Sequence, residues 1–395
     1  MKSRHLNHTY RKEQKKKKNN VFDYADLVSV HLFPMLSLGD HVRLMCTCHE
    51  LKRLGCASSA WVKHVQVGEL SEEAFKKLTR LKHISSLEVD YWGYGGTLNN
   101  VALMANMPQL QKLSLKYMHG VSDYSFLSSL SQLRHLEFSY TGNGLTDHDL
   151  RVVGTFEMLE CLVLDSCSCI TAAALADLTQ LHRLERLVLD CCDQLGDAMW
   201  PYLASMAQLK QLSLAQTKIT DAGAEYLKPL QNLVFLGLQW CDEVTPRIFK
   251  YPSASVEELD IRGTHEIADL SFLKAFTKLR ILSMGSPEIM DHDLDHLADL
   301  PLTHLTLIDC SSITNDGLGF LGPLHQLTHH TWGSQLNPTT IGTFGVKHSN
   351  IKLKLIHTRG CYFYPTYRHW NELDRNTIVP SWVQHSNIKL GPHTW

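Results

Sequence analysis

The 395-residue sequence lacks any uninterrupted run of about 18 apolar residues, so no membrane-spanning helix is expected. Its first twenty residues also lack the apolar stretch of a secretory signal. The 11 cysteines are an odd number, and four of them fall at one position of a repeat instead of in the spacing of a disulfide framework. We therefore expect reduced cysteines and a location in the cytoplasm, the nucleus or both.

The residue patterns of common catalytic sites are also missing. No glycine-rich loop is followed by Lys-Ser or Lys-Thr, as a phosphate-binding loop would require. His292 and His296 lie four residues apart beside several aspartates, but the glutamate base of a zinc-protease helix is absent. We expect no catalytic residue, no metal and no cofactor, and we expect that the protein is not an enzyme. A metal- or thiol-dependent enzyme is the alternative that these absences disfavour.

Charge is distributed unevenly along the chain. Residues 1–20 carry eight Lys or Arg against one Glu, which leaves 30 basic and 39 acidic residues, a net charge of −9, in the remainder. The run Lys15–Lys18 predicts a solvated, disordered tail over residues 1–20. A nuclear-import signal or an anchor for an acidic surface is the alternative. The rest of the chain has no basic stripe, which argues against a nucleic-acid partner.

One phrase recurs along most of the sequence. Leu-x-x-Leu-x-Leu occurs at residues 184–189 and again at 209–214. The last apolar residue of each predicted strand follows the previous one by 23 to 26 residues, at Val89, Leu115, Phe138, Leu164, Leu189, Leu214, Leu238, Ile261, Met284, Leu307, Trp332 and Leu355. Repetition at a period of 20 to 50 residues is typical of a solenoid, in which each repeat buries its apolar face against its neighbours.

Several repeats resemble the cysteine-containing leucine-rich repeat. Cysteine lies three residues after the last strand position at Cys167, Cys192, Cys241 and Cys310, and phrases such as ITDAG (219–223) follow. The resemblance implies an α/β solenoid of about twelve repeats over residues 81–355, with a parallel concave sheet and helices on the convex side. The pattern also predicts inward leucines, a Cys or Thr packed at the turn, an Ile in the loop and an Asp or Asn helix cap.

Residues 21–66 form an apolar segment with the spacing of three short helices, which is too small to bury much area alone. Its Leu36-Ser37-Leu38-Gly39-Asp40 and the later Cys48, Leu54 and Trp61 resemble an F-box, a domain known to precede leucine-rich repeats. The opening Leu-Pro is missing, His41 replaces an apolar residue, and Thr47 replaces a valine. The resemblance implies docking of the SCF adaptor subunit on Leu27, Phe33, Leu36, Leu38, Val42, Leu44, Cys48 and Trp61.

The side chains before, between and just after the last two strand leucines are predicted to face the concavity, because strand side chains alternate. Acidic residues collect there in the first five repeats, at Glu88, Asp90, Glu137, Asp165 and Asp190. Aromatic residues form a neighbouring row at Tyr91, Tyr117, Tyr140 and Trp240, with Phe235 close by in the sequence. We interpret this face as the binding surface for a protein substrate with a basic segment. The alternative is the ordinary clustering of any polar sheet face.

The remaining segments complete a five-part organisation. Residues 67–80 are predicted to form a connecting helix, and the aromatic residues 356–395 a cap, or else a tail that contacts ligand. The leading interpretation is a substrate-recognition subunit of an SCF-type ubiquitin ligase, bound to adaptor and cullin as a monomer within a hetero-complex. Such a subunit acts by proximity and needs no catalytic residue of its own. The alternative is a leucine-rich-repeat scaffold or inhibitor without a link to a ligase.

Overall fold

The computed structural model describes residues 64–67, 76, 78–82, 84–90, 101–314, 316–324, 327, 329–332 and 352–355. The predicted basic tail, the F-box-like segment up to residue 63 and the predicted cap at 356–395 lie outside the described residues. The eight predicted adaptor-binding residues and Tyr91 lie outside them too, so these predictions stay predictions.

Short parallel strands follow one another at the repeat spacing and form one 13-stranded sheet in chain order. Each of the twelve predicted strand ends lies in, or directly after, a strand, which confirms the solenoid register. The strands are β1 His64–Val67, β2 Ser86–Asp90, β3 Lys112–Lys116, β4 His135–Ser139, β5 Cys161–Asp165, β6 Arg186–Val188, β7 Gln211–Ser213, β8 Phe235–Gly237, β9 Glu258–Arg262, β10 Ile281–Gly285, β11 His304–Leu307, β12 His329–Trp332 and β13 Lys352–Leu355. This geometry is that of a leucine-rich-repeat solenoid, an α/β fold.

The sheet begins one strand earlier than predicted. Strand β1 pairs with β2 in parallel, with Val65 opposite Leu87 and Val67 opposite Val89. Residues 64–66, which were assigned to the helical F-box-like segment, and Val67, which was assigned to the connecting helix, therefore belong to the sheet. The alternating His-Val-Gln-Val sequence suits a strand, and β1 covers the edge that β2 would otherwise leave unpaired. Lys76 and Leu78 are helical, as predicted for the connecting segment.

Short helical segments close the side of the sheet that carries the core, which is the convex side where helices are predicted. The α-helices are α1 Asp147–Val153, α2 Leu175–Leu178, α3 Trp200–Ser205, α4 Ala224–Leu227 and α5 Gly317–Phe320. The 3-10 helices are Val101–Asn106, Ser125–Ser129, Ala172–Ala174, Asp197–Met199, Asp221–Gly223, Pro246–Lys250, Ser271–Ala275 and Asp291–Leu297. A 3-10 helix rises about 2.0 Å per residue against about 1.5 Å in an α-helix, so it crosses a short repeat with fewer residues.

The core is one continuous layer between the sheet and these helices. The paired strand leucines are fully buried, among them Leu187, Leu189, Leu212 and Leu214. The repeat cysteines pack in the same layer, since Cys167, Cys192 and Cys241 are fully buried, whereas Cys310 is half-buried. The buried thiols also contact the preceding repeat: Cys192 Sγ lies 3.3 Å from the Leu164 carbonyl oxygen, and Cys241 Sγ lies 3.2 Å from that of Leu214. The predicted packing role of these cysteines is confirmed.

A ladder of aspartate and threonine side chains joins successive repeats at the helix starts. Asp221 Oδ1 accepts the Thr245 backbone N–H at 2.9 Å, and its Oδ2 accepts the Thr245 hydroxyl at 2.5 Å. The Thr245 hydroxyl in turn accepts the Arg247 N–H and caps the next helix. The same arrangement joins Asp147 to Thr171, Asp197 to Thr220 and Asp291 to Thr314. The predicted Asp or Asn cap is therefore wrong at these turns: threonine is the cap, and aspartate binds the threonine of the following repeat.

We expect Asp221→Ala to lower the free energy of unfolding by about 1 to 3 kcal/mol, because two hydrogen bonds to a half-buried carboxylate are lost. Urea denaturation followed by circular dichroism measures the change. Asp242→Ala, which removes an exposed loop carboxylate, is the matched control and should leave the urea midpoint unchanged. Equal midpoints for the two variants would show that the Asp–Thr pair contributes no net stability.

Candidate functional site

The open face of the sheet is the face that points away from the helices. Because the strands pair in register, corresponding residues of successive repeats lie side by side in rows across this face. The first row holds Ser86, Lys112, His135, Cys161, Arg186, Gln211, Phe235, Glu258, Ile281 and His304. The second row holds Glu88, Ser114, Glu137, Val163, Val188, Ser213, Gly237, Asp260, Ser283 and Thr306. The third row holds Asp90, Lys116, Ser139, Asp165, Asp190, Ala215, Gln239, Arg262 and Gly285.

A fourth row, the rim row, follows the third in each repeat and has an unusual backbone. Its residues Tyr117, Tyr140, Ser166, Cys191, Gln216, Trp240 and Asp309 all have φ between 55° and 57°. Such left-handed backbone costs a residue other than glycine about 1 to 2 kcal/mol. Each N–H of the row from Tyr117 to Trp240 donates to the third-row carbonyl of the next repeat, as Tyr140 does to Asp165 at 2.9 Å. These bonds continue the sheet ladder and hold the rim side chains in fixed positions.

The predicted acidic surface is largely neutralised in the first repeats. Lys116 Nζ lies 3.0 Å from Glu88 Oε1 and 3.3 Å from Glu137 Oε1, and it joins two of the five predicted carboxylates. Burial disfavours the charge of Glu137, yet His135 and Lys116 favour it and lower its pKa to about 2. Lys116 is the centre of a nearly buried ion triad. Glu88 and Glu137 are therefore poorly placed to take a basic partner directly.

Asp165 and Asp190 differ from these ion-paired carboxylates. They occupy the same row position in adjacent repeats, and both residues are buried, with 4% and 7% of their surface exposed. Burial raises the pKa of Asp165 to about 6 and that of Asp190 to about 7. The charge of Asp165 also raises the pKa of Asp190, and the charge of Glu137 raises that of Asp165, because like charges repel. Near neutral pH this pair is only partly ionised.

A second charged group lies farther along the face, and it was not singled out from the sequence. Arg262 forms a two-armed ion pair with Asp260, with Nη2 at 2.7 Å from Oδ2 and Nε at 2.9 Å from Oδ1. Glu258, half-buried in the first row beside them, has its pKa raised to about 8 by desolvation and by Asp260. Glu258 precedes the strand leucine Leu259, a position that the alternation of strand side chains also predicts to face the concavity.

The aromatic residues fall into two separate places. The rings of Tyr117 and Tyr140 stack with centroids 4.9 Å apart and planes 7° apart. Trp240 lies four repeats beyond Tyr140 in the rim row and keeps 37% of its surface exposed. Its indole covers Gly263, where an added Cβ would lie 2.3 Å from the ring, so glycine is required there. Phe235 is buried at 6% exposure at the other edge of the open face, so it presents little surface.

His292 and His296 both lie on the 3-10 helix Asp291–Leu297, and His292 Nε2 is 3.5 Å from Asp293 Oδ1. Within the described ranges, no three His, Cys, Asp or Glu side chains gather as metal ligands would. Nor does the described part of the chain contain a helix with the length and apolar character needed to cross a membrane.

We expect Asp190→Asn to change how stability depends on pH. The folded pKa of Asp190, about 7, lies above the unfolded value of about 3.9, so the folded state favours the protonated form. Its stabilising contribution is complete below about pH 4 and is lost as pH rises through 7. Asn cannot ionise and can still accept the Ala215 N–H, which lies 2.9 Å from Oδ1. The variant should therefore gain about 2 to 4 kcal/mol relative to wild type between pH 4 and pH 8.

Urea denaturation of the two proteins at pH 4.5 and pH 8 measures this difference. Asp242→Asn makes the same change of charge at an exposed loop position and should show no such gain. A wild-type protein and an Asp190→Asn variant that lose stability in parallel between the two pH values would contradict the burial argument.

Comparison with known proteins supplies no family. No protein-family model matches the chain, and no curated protein matches it. Among the solved structures that match is the crystal structure of an internalin from Listeria monocytogenes, with 17% sequence identity and a TM-score of 0.47 over 75% of this chain and 82% of that chain. The assignment of the architecture therefore rests on the repeat geometry of this chain itself.

Proposed function

We propose that the solenoid is a non-catalytic protein-interaction module whose open sheet face binds a segment of another protein. The observation that carries this proposal is the rim row. It holds a stacked tyrosine pair at one end and the exposed Trp240 farther along, on a backbone fixed by inter-repeat hydrogen bonds. Aromatic side chains held rigidly at an open surface lose little entropy on binding and bury much area, so they are effective anchors for a protein partner.

The charges of the open face support a protein partner over a nucleic acid. Between strands β2 and β11 this face carries the basic residues Lys112, Lys116, Arg186 and Arg262 among at least as many carboxylates. Two of these bases, Lys116 and Arg262, are already held in ion pairs. A phosphate backbone needs a continuous stripe of free positive charge. A mixed surface with aromatic anchors instead suits a polypeptide that offers both apolar and charged side chains.

The more specific form of the proposal is a substrate-recognition subunit of an SCF-type ubiquitin ligase. It is supported by the F-box-like residues at 36–40 and by Cys48, Leu54 and Trp61 placed ahead of the repeats. The segment would hold the adaptor, and through it the cullin, while the open face holds the substrate. Bringing a substrate lysine near a conjugating enzyme raises its effective concentration and needs no catalytic side chain in this chain. A scaffold or inhibitor without ligase partners is the second form, and it requires the open face alone.

We expect the double variant Tyr140→Ala/Trp240→Ala to lose partner proteins at least about tenfold, because truncation of an aromatic anchor typically costs about 2 kcal/mol or more. Affinity capture from cells with isotope-labelled quantification measures the loss. The matched control is Tyr226→Ala/Phe320→Ala, which removes two exposed aromatics from the helical side, 39% and 36% exposed. Thermal unfolding of both variants verifies that they are folded.

Proteins captured by wild type and by the control, but lost from the open-face variant, identify the ligands of this surface. Equal loss from both variants, or loss from neither, would contradict the placement of the binding surface on the open face.

A deletion that ends before strand β1 tests the ligase form of the proposal. Removing residues 24–62 takes out the F-box-like segment and spares strand β1, which begins at His64. We expect the intact protein to capture the SCF adaptor and cullin, and the deletion variant to lose both while it keeps the open-face ligands. An intact protein that captures neither subunit would contradict the ligase form and leave the scaffold form in place.

A further inference from the structure

Small and polar side chains occupy the rim row between its two aromatic ends. Tyr140 and Trp240 are four strand spacings, or about 19 Å, apart, and Ser166, Cys191 and Gln216 lie between them. All three side chains are half-buried and none is a large apolar group, and the Cys191 thiol donates to Gln216 Oε1 at 2.7 Å. That stretch of the third row contains Asp165, Asp190 and Ala215. The result is a slot with aromatic ends and a carboxyl floor.

The floor has unused hydrogen-bonding capacity at Asp165. Its Oδ1 accepts the Ser166 hydroxyl at 2.9 Å, while its Oδ2 accepts no hydrogen bond from the residues that the structure describes. Asp165 is nevertheless 96% covered, at 4% exposure. Oδ2 keeps a small contact with solvent, so a group of a partner can reach it. A cationic donor supplied by a partner would complete it.

The charged groups around the floor leave it acidic. Asp165 faces Glu137 on its N-terminal side, and Lys116 beyond it is already shared between Glu137 and Glu88. On its C-terminal side Asp165 faces Asp190, whose Oδ1 accepts the Ala215 N–H. The other groups that act on Asp190 are the Ser213 hydroxyl and, through its charge, Arg186. The thiol of Cys191 at the rim has its pKa raised to about 12 by burial and by both aspartates, so it stays neutral.

We propose that the slot floored by Asp165 and Asp190 takes a lysine or arginine side chain of the partner protein. The inference rests on the proposed function of the open face and names the partner feature that this part of it selects. The cationic head contacts the two carboxylates, and the aliphatic stem lies against the Tyr140 ring, whose far face is stacked on Tyr117. A cation that joins two desolvated carboxylates replaces the solvent they have lost, which an apolar partner residue cannot do.

Occupation of the slot is coupled to proton release. The carboxyls titrate in the free protein at about 6 and about 7, and an arriving cation favours their ionised forms. At pH 6.5 the pair therefore releases about one proton when a basic side chain binds. The partner should bind more tightly at pH 8 than at pH 5, because at pH 5 it must first displace both protons.

Fluorescence anisotropy with a labelled hexa-arginine peptide at low salt, between pH 5 and pH 8, tests this coupling. Arginine keeps its charge over that range, so changes in affinity report on the protein. We expect the wild type to bind roughly tenfold or more tightly at pH 8 than at pH 5. A hexa-citrulline peptide, which is nearly the same shape without the charge, should not bind measurably.

The double variant Asp165→Asn/Asp190→Asn should weaken hexa-arginine binding at pH 8 to near its pH 5 level and lose the pH dependence. The control Asp177→Asn/Asp299→Asn removes two carboxylates outside the open face and should behave as the wild type does. Three results would each overturn the slot: unchanged binding by the open-face variant, equal binding of the citrulline peptide, or no binding to wild type. In the affinity capture described above, partners could be lost by the Tyr140→Ala/Trp240→Ala variant but kept by the Asp165→Asn/Asp190→Asn variant. That result would contradict the slot and leave the proposed function standing.

Discussion

In-register pairing between neighbouring repeats is the constraint on which the rest of this molecule depends. A strand of three to five residues with a short helix cannot bury its leucines alone, so each repeat is completed by the next. The pairing is reinforced at three levels: core thiols contact the preceding strand, Asp221 and its equivalents bind the next threonine, and rim N–H groups extend the ladder. Any change that shifts one repeat therefore disturbs its two neighbours.

The same register sets the electrostatics of the open face. Residues about 25 positions apart are forced side by side, whatever their charges. Where the neighbours are Glu88, Lys116 and Glu137 the result is an ion triad, and where they are Asp165 and Asp190 it is a pair of partly protonated acids. Ionisation of the buried acids lowers the stability of the free protein, and we propose that a cationic partner offsets this loss. Fold and surface electrostatics thus share one cause, the lateral stacking of strands.

Prediction from the sequence succeeded where one periodicity carried the signal. The spacing of strand leucines located all twelve predicted strands, and the repeat position of Cys167, Cys192 and Cys241 identified them as packing residues. Prediction was less successful for features that depend on contacts between repeats. Three such features are the role of Lys116, the threonine caps and the strand at 64–67, each of which depends on partners 20 to 30 residues away. The F-box resemblance lies outside the described residues and stays a prediction.

The sequence by itself determined the architecture, because a period of 23 to 26 residues with inward leucines permits one stacking arrangement. It also indicated which rows of side chains face the open side of the sheet, because strand side chains alternate. Only the tertiary structure decided the ionisation and the contacts of those side chains. The ionisation of a carboxyl depends on its burial and on its neighbours across the sheet. For this reason the pKa of Glu137 is about 2 and that of Asp190 is about 7, although both residues belong to one predicted acidic surface.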